Sequence, residues 1–408
     1  MLLVYQIISL QNMRDQNNMR SKFYLSLAVC YLTAFFFGFH LTGIEMIRKF
    51  YFKTNEKLVQ KYYYIAAILF AVPIFGGIFR SFIFLNIPQW FCIIHSSHLA
   101  AFLLYMTGYI QLFYVARFFA GFGMGLSSSV VPEYVGKLAP ERRGFLTYLF
   151  QTYILVGVLT GQICTILSTK IVFMNSFYGI AACTALIAAI CTFVIILPEE
   201  DDIKNSRSNE THKTLLDLLK DNKSKKSIMI ALLTHVTQQM TCIKAVLTYS
   251  NTLFERSSPG SAQKKTILVG FFSLVITYFT SFIIERVGRK ILVQLSTIVV
   301  CVSLWILIKD YNPLFALILF QFGYSFGLGP VTWLLTSEIF PIEYQPVAVP
   351  ICGIINWFCA TMTVLFFEKW IKAYGAQILY INIAILLVVA CMMQVLLKET
   401  RGRPAKFQ

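Results

Sequence analysis

The sequence predicts an all-α integral membrane protein, with twelve transmembrane helices in two six-helix halves, on three observations. Its 408 residues are 57% hydrophobic and 13% charged, with mean hydropathy +0.67, whereas a soluble domain carries about a quarter charged residues. Apolar windows of membrane-spanning length recur twelve times, with the longest polar stretch between the sixth and seventh. Short motifs of the first half return in the second at a nearly constant offset.

Residues 1–21 open with the apolar MLLVYQIISL and turn polar in QNMRDQNNMR. No basic stretch precedes the apolar run and no small-residue cleavage site follows it, so they read as a cytosolic segment rather than a cleaved signal. The first spanning helix then serves as its own insertion signal. A bilayer core takes about 20 mostly apolar residues per helix. The N-terminal half, residues 22–198, holds such windows near 22–44, 62–85, 91–111, 112–133, 146–168 and 172–197. EEDDIKNSRSNETHKTLLDLLKDNKSKKS follows, and residues 199–227 are read as a central cytosolic loop. Leucines at helical spacing in THKTLLDLLKDNK (211–223) predict a short helix within it. The C-terminal half, residues 228–397, holds windows near 228–253, 265–284, 291–308, 314–337, 346–367 and 375–397, and residues 398–408 form a cytosolic tail.

The net charge of +16 is read as topological, since basic loops stay in the cytosol. No nucleic-acid partner is expected, because no basic residues alternate with aromatics on a soluble surface. The same bias places both termini in the cytosol, although the first external loop, EMIRKFYFKTNEKLVQK, carries five basic residues against it. The sequon Asn209-Glu210-Thr211 then lies in the cytosol, where it is not used. All ten cysteines fall in predicted helices without a C-x-x-C pair, which suits packing rather than disulfides or a metal.

KLAP (137–140) and EIFP (338–341), offset by 201 residues, follow the fourth and tenth spans, and GFGMG (121–125) precedes the first as FGLGP (326–330) precedes the second. The glycines let helices approach closely. A parallel six-helix repeat around a central loop is the architecture of the major facilitator fold, with its substrate site near the membrane midplane between the halves.

Five stretches then line up in order. RFFAGFGMGLSSSVVPEYVGKLAPERRG (117–144) resembles the fourth helix and following loop of sugar porters, and QQMTCIKAVLTYS (238–250) resembles their seventh-helix motif, QQ-x-x-G-I-N followed by a tyrosine. ERVGRK (285–290) resembles the loop after the eighth helix, GLGPVTWLLTSEIFP (327–341) the tenth helix and its loop, and KETRGRP (398–404) the P-E-T-K-G-R tail. The chain resembles a sugar-porter member of the major facilitator superfamily, the group that includes facilitative glucose carriers and insect facilitated trehalose transporters.

The resemblance implies a set of substrate contacts. An amide both donates and accepts, so it matches a sugar hydroxyl without the cost of burying an ion. Gln238 and Gln239 would hold hydroxyls from the seventh helix, Gln151 takes the fifth-helix glutamine position and Asn356 the eleventh-helix asparagine position. Trp333 matches the tenth-helix tryptophan, whose face packs against the C–H face of a pyranose. The same motifs make Arg117, Arg143, Glu285, Arg289 and Glu338 the expected gating residues.

The sequence departs from the pattern at several points. Lys244 stands where the family has a substrate-contacting asparagine, and no carboxylate is read deep in any span to pair with it. An ammonium at mid-span costs roughly 2.5–3.5 kcal/mol on insertion scales. Three readings stand: Lys244 snorkels into an aqueous cavity, is held neutral, or selects an anionic substrate. Ser273 replaces an eighth-helix amide. Lys137 replaces the gate glutamate after the fourth helix, Gln345 the arginine after the tenth, and LNIPQW (85–90) stands where the second-helix gate motif belongs. Arg143 and Glu338 remain to pair across the halves, and a less favoured inward-closed state is expected. The first span carries His40 near the position of the acid found in proton-coupled porters, which favours facilitated diffusion. His95 and His98 lack a third ligand nearby and read as packing residues, while His235 is left open.

The sequence thus predicts a carrier, not an enzyme, moving a small sugar such as a hexose or trehalose by alternating access. It calls for no cofactor or metal, and for the lipid bilayer as partner. A non-transporting sensor or degenerate paralogue, and a carrier of an anionic solute, remain the alternatives.

Overall fold

The computed structural model describes residues 2–51, 56–83, 85–138, 142–195, 213–243, 254, 261–403 and 406–407. Lys244 and the sequon at 209–211 lie outside them.

The described residues form helices and their connections, without a strand. In chain order the N-terminal half comprises α1 (Leu2–Thr42), α2 (Ile44–Tyr51), α3 (Glu56–Ala71), α4 (Pro73–Phe82), α5 (Ile87–Met106), α6 (Ile110–Leu138), α7 (Arg143–Leu167) and α8 (Ile171–Ile195). The short α9 (Leu215–Lys220) follows. The C-terminal half comprises α10 (Ser224–Met240), α11 (Ala262–Val287), α12 (Arg289–Ile308), α13 (Pro313–Phe326), α14 (Leu328–Glu338), α15 (Gln345–Tyr374) and α16 (Leu379–Leu396).

Eleven helical segments among the described residues are long and apolar enough to cross a membrane. The seventh window, 228–253, is the exception: α10 stops at Met240, so the described part of that span is not the unbroken helix the sequence predicts. At the other end, α1 runs 41 residues without a break, so residues 2–21 are helical and continuous with the first span. At 1.5 Å per residue it is roughly 60 Å long, twice a bilayer core. The leucine-spaced segment is helical as predicted. Thr214 caps α9, exchanging bonds with Asp217, and Leu218 is buried while Leu216 and Leu219 remain exposed.

Proline and glycine set the close contacts inside each half. Pro73 divides the second span into α3 and α4, because a proline cannot supply the amide the ladder needs there. Gly125 of α6 lies directly on that break, where a Cβ would clash with the Pro73 backbone. Gly38 and Gly157 similarly bring α1 and α7 into backbone contact. Two hydrophobic cores result, one per half, and each borrows a large aromatic from the other: Trp357 joins the first and Tyr148 the second. The halves meet along α4 with α15 and α7 with α11, leaving a space at the centre.

Candidate functional site

The central space takes its shape from a break in the tenth span. Gly327, between α13 and α14, has φ −138° and ψ −86°, off the helical path. Ser296 of α12 repairs part of the break, its hydroxyl donating to Gly323 O (2.7 Å) and accepting from the Leu328 amide (2.9 Å). Pro330 has no N–H to offer Phe326 O, four residues back. That carbonyl instead accepts from the Tyr148 hydroxyl of the opposite half, at 3.1 Å.

Gln238 satisfies two more carbonyls beside the break, donating to Leu328 O at 3.0 Å and Gly329 O at 2.7 Å. Its own side-chain oxygen accepts from Asn356 Nδ2 (2.7 Å) and Gln239 Nε2 (3.4 Å), and Gln239 Nε2 also reaches Asn356 Oδ1 at 2.9 Å. The seventh-helix glutamines and the eleventh-helix asparagine are therefore one connected amide network, all nearly fully buried. Immediately after it, Cys242 adopts φ +61°, where non-glycine residues are uncommon. Asn382 tethers this turn through Met240 O and Cys242 Sγ.

The cavity, with the open solvent at its mouth, holds about 870 Å³ of non-atom space. Of the residues expected to contact substrate, Gln151, Gln238, Trp333 and Asn356 line it, and Gln239 stands behind them in the network. Lys244 lies outside the described residues. Ser273 lines the cavity too, its hydroxyl 2.7 Å from that of Ser325, so two small hydroxyls satisfy each other on that wall. The lining also includes residues that sequence reasoning did not single out: Ser128, Thr147, Gln321, Tyr324 and Trp357. Gln321 is a lone amide in the apolar run ALILFQFGYSF, the signal that could have marked it. His235 donates to or accepts from Thr336 Oγ1 at 2.9 Å and meets the Trp333 ring edge-on, 4.9 Å between centroids; it braces the tryptophan rather than lining the space.

At one end of the cavity the halves are joined. Arg289 bonds Glu338 (2.8 Å) and Glu285 (3.3 Å), and Thr400 donates to Glu338 Oε2 at 2.6 Å. Arg143 crosses from the other half, but onto the Ser337 carbonyl (3.1 Å), while the Phe145 amide donates to Glu285 (3.3 Å). Gln345, in place of an arginine, donates to Ser337 O and Phe340 O (2.7 and 3.1 Å). Gly144 permits this approach, since a Cβ there would run into the Glu285 carboxylate. Behind the cluster, Gly288 turns the chain with φ +92°, and Glu399 accepts from the first amides of α12, Arg289 N and Lys290 N (2.9 and 3.1 Å). Burial pushes the Glu399 carboxyl up, but the amides of Arg289, Arg401 and Lys290 outweigh it and hold it below the usual carboxylate range.

These features belong to a known class of protein. The family described as Sugar (and other) transporter matches residues 24–201 and 197–407. The chain is a member of the sugar transporter family. It is 27% identical over 72% of its length to the facilitated trehalose transporter Tret1 of Apis mellifera ligustica, spanning 67% of that protein. It is 25% identical over 83% of its length to the facilitated glucose transporter member 4 of Mus musculus, spanning 77% of it. The fold matches that of the major facilitator superfamily proton:xylose symporter XylE bound to 6-bromo-6-deoxy-D-glucose, with TM-score 0.77, 19% identity, and 95% and 98% of the two chains covered.

Two findings add to what the sequence predicts for this sugar transporter. Glu133, near the end of the α6 span, is buried and bonds Arg80 of α4 at 2.9 Å, with Arg80 5.1 Å from the Trp90 ring. Arg117 stands apart from the Glu285–Arg289–Glu338 cluster. It is buried against α1, where it donates to the His40 carbonyl at 2.6 Å. The His40 ring stacks between Phe102 and His98, with centroids 4.4 and 5.1 Å away, and His95 lies 3.4 Å from Thr33 Oγ1, so the three histidines are packed inside the first half.

Proposed function

We propose that this transporter is a facilitative carrier of a small neutral sugar, a hexose or a disaccharide such as trehalose, at the plasma membrane with both termini cytosolic. The observation that carries this reading is the central cavity. Amides from both halves and the Trp333 ring face it, and no charged side chain is among the described residues that line it. Such a wall suits a polyol, which needs donors and acceptors together, better than an anion. Gln151, Gln238, Asn356 and Trp333 are the proposed contacts, and Gln239 holds the network in place.

The proposed gate is the cluster of Arg143, Glu285, Arg289 and Glu338, closed by bonds that cross between the halves. Rocking one half against the other breaks those bonds and opens the cavity to that side. Facilitated diffusion is favoured because residues 22–44 contain no Asp or Glu. Two relatives also bear on it, since both are described as facilitated transporters.

Uptake of radiolabelled glucose, trehalose and glucuronate into oocytes, by the natural chain and Lys244→Asn, tests the reading. Saturable uptake of a neutral sugar, unchanged by collapsing the proton gradient, is the expected result. Uptake of the acid alone, lost in Lys244→Asn, would make the protein an anion carrier. No uptake by a chain present at the cell surface would make it a sensor or a degenerate paralogue.

A further inference from the structure

We propose that Gln321, on α13, is a substrate-contacting residue that sets specificity by reading one hydroxyl of a neutral polyol in the central cavity. This deepens the carrier reading and rests on it.

The amides around the cavity differ in how much of their hydrogen-bonding capacity is used. An amide side chain offers two donors and two acceptor positions. Gln238 has all four engaged, by Leu328 O, Gly329 O, Asn356 and Gln239. Asn356 donates to Gln238 and His235 O and accepts from Gln239. A sugar hydroxyl can reach Gln238 only by sharing or displacing a bond already made, while Asn356 keeps one acceptor position and no free donor.

Gln321 is in the opposite position. Its side chain is 3% exposed, it lines the cavity, and it has no hydrogen-bond partner among the described residues. Buried polar groups are normally partnered. Its amide atoms are also absent from the fully enclosed, unpartnered ones, so they face the cavity rather than a dry wall. A group in the cavity must therefore complete it.

The neighbours fix which way it points. Tyr324 and Ser325 follow at spacings of three and four, so the three residues share one face of α13, and all three line the space. Ser325 is bonded to Ser273, which leaves Gln321 as the free amide on that wall. Across the cavity Gln151, on α7, likewise has no hydrogen-bond partner among the described residues. One open amide from each half faces the same space. A polyol held between them would touch both moving parts, as a carrier requires.

The test uses the purified full-length chain in detergent and reads binding by quenching of tryptophan fluorescence, since Trp333 and Trp357 line the cavity. The panel is D-glucose, its monodeoxy analogues and trehalose, against the natural chain, Gln321→Leu and Gln321→Asn. In the natural chain, removing one particular hydroxyl is expected to weaken binding about tenfold, the size of a single hydrogen bond to a neutral group. Gln321→Leu should weaken the parent sugar by a similar factor and bind it no better than that deoxy analogue, while the other deoxy penalties stay in place. Gln321→Asn, whose shorter arm withdraws the amide, should show the same equalisation with an unchanged melting profile, which covers the case in which the leucine variant does not fold. An unaltered deoxy profile in a folded variant overturns the assignment and leaves water as the partner of Gln321. If the natural chain binds no sugar of the panel, the carrier reading itself fails, and the assignment falls with it.

Discussion

Arg80 and Glu133 meet at 2.9 Å inside the first half, with side chains only 5% and 3% exposed. The Trp90 ring covers the guanidinium. The pair stands near the point where the sequence lacks the gate motif after the second helix. It ties α4 to α6 within one half instead of joining two loops. Removing one partner of a buried, hydrogen-bonded ion pair costs about 3–5 kcal/mol. Glu133→Leu and Arg80→Met should each lower the melting temperature in detergent sharply, whereas the double variant should recover most of the loss. Additive losses in the double variant would contradict this account.

Cys242 takes the place of the glycine in the Q-Q-x-x-G-I-N pattern, yet keeps the left-handed backbone that glycine favours, φ +61°. A β-branched side chain tolerates that region worst. Cys242→Val should therefore be less stable than Cys242→Gly by about 1–2 kcal/mol, although valine replaces the buried volume better. Thermal unfolding of the two variants decides it; a more stable valine variant would mean that the turn rearranges at little cost.

Gly144 lies against the opposite half at the proposed gate, beside Glu285 and Arg289. A methyl group there pushes on the Glu285 carboxylate, which already accepts from the Phe145 amide and from Arg289. Gly144→Ala should loosen the junction without unfolding either half. Hydrogen exchange should then quicken around residues 143–148 and 284–289 and stay unchanged in the interior of α5 and α16. Exchange that is unchanged around the junction would show that the gate absorbs the methyl.

Glu399 gives the same end of the molecule a dependence on pH. Its carboxyl is held below its ordinary range by helix amides, so the stabilisation is present above the unfolded value of about 4.3 and disappears as pH falls through the lower folded value. Between pH 7 and about pH 5 the natural chain should change little at this site, with the loss appearing at more acid pH. Glu399→Gln should remove that acid-side step from the melting profile, measured side by side with the natural chain.

The helices were legible because hydrocarbon demands long apolar runs, whereas the breaks at Pro73, at Gly327 and after Met240 follow from local backbone chemistry inside those runs. The amides were legible as types of residue but not as a circuit. Nothing in the order Gln238, Gln239, Asn356 states that they bond one another, since that follows from α10 and α15 lying side by side. Gln321 looked like one polar residue in an apolar helix, and only its lack of a partner sets it apart. Glu133 sits at the edge of its apolar window, 53 residues from Arg80 in the chain, a separation that no local pattern spans. The motif groups Arg117 with the gate, whereas packing places it against His40.

The bond from Tyr148 to Phe326 O has a kinetic consequence. That carbonyl is vacant within its own helix because of Pro330, and the other half fills it only while the two are together. When they part, the carbonyl must be wetted or stay bare, and a bare carbonyl in a dry interior is costly. Water entry at the Gly327 break therefore coincides with the swing itself, and the turnover rate should respond to solvent viscosity and to deuterium oxide as a hydration step does.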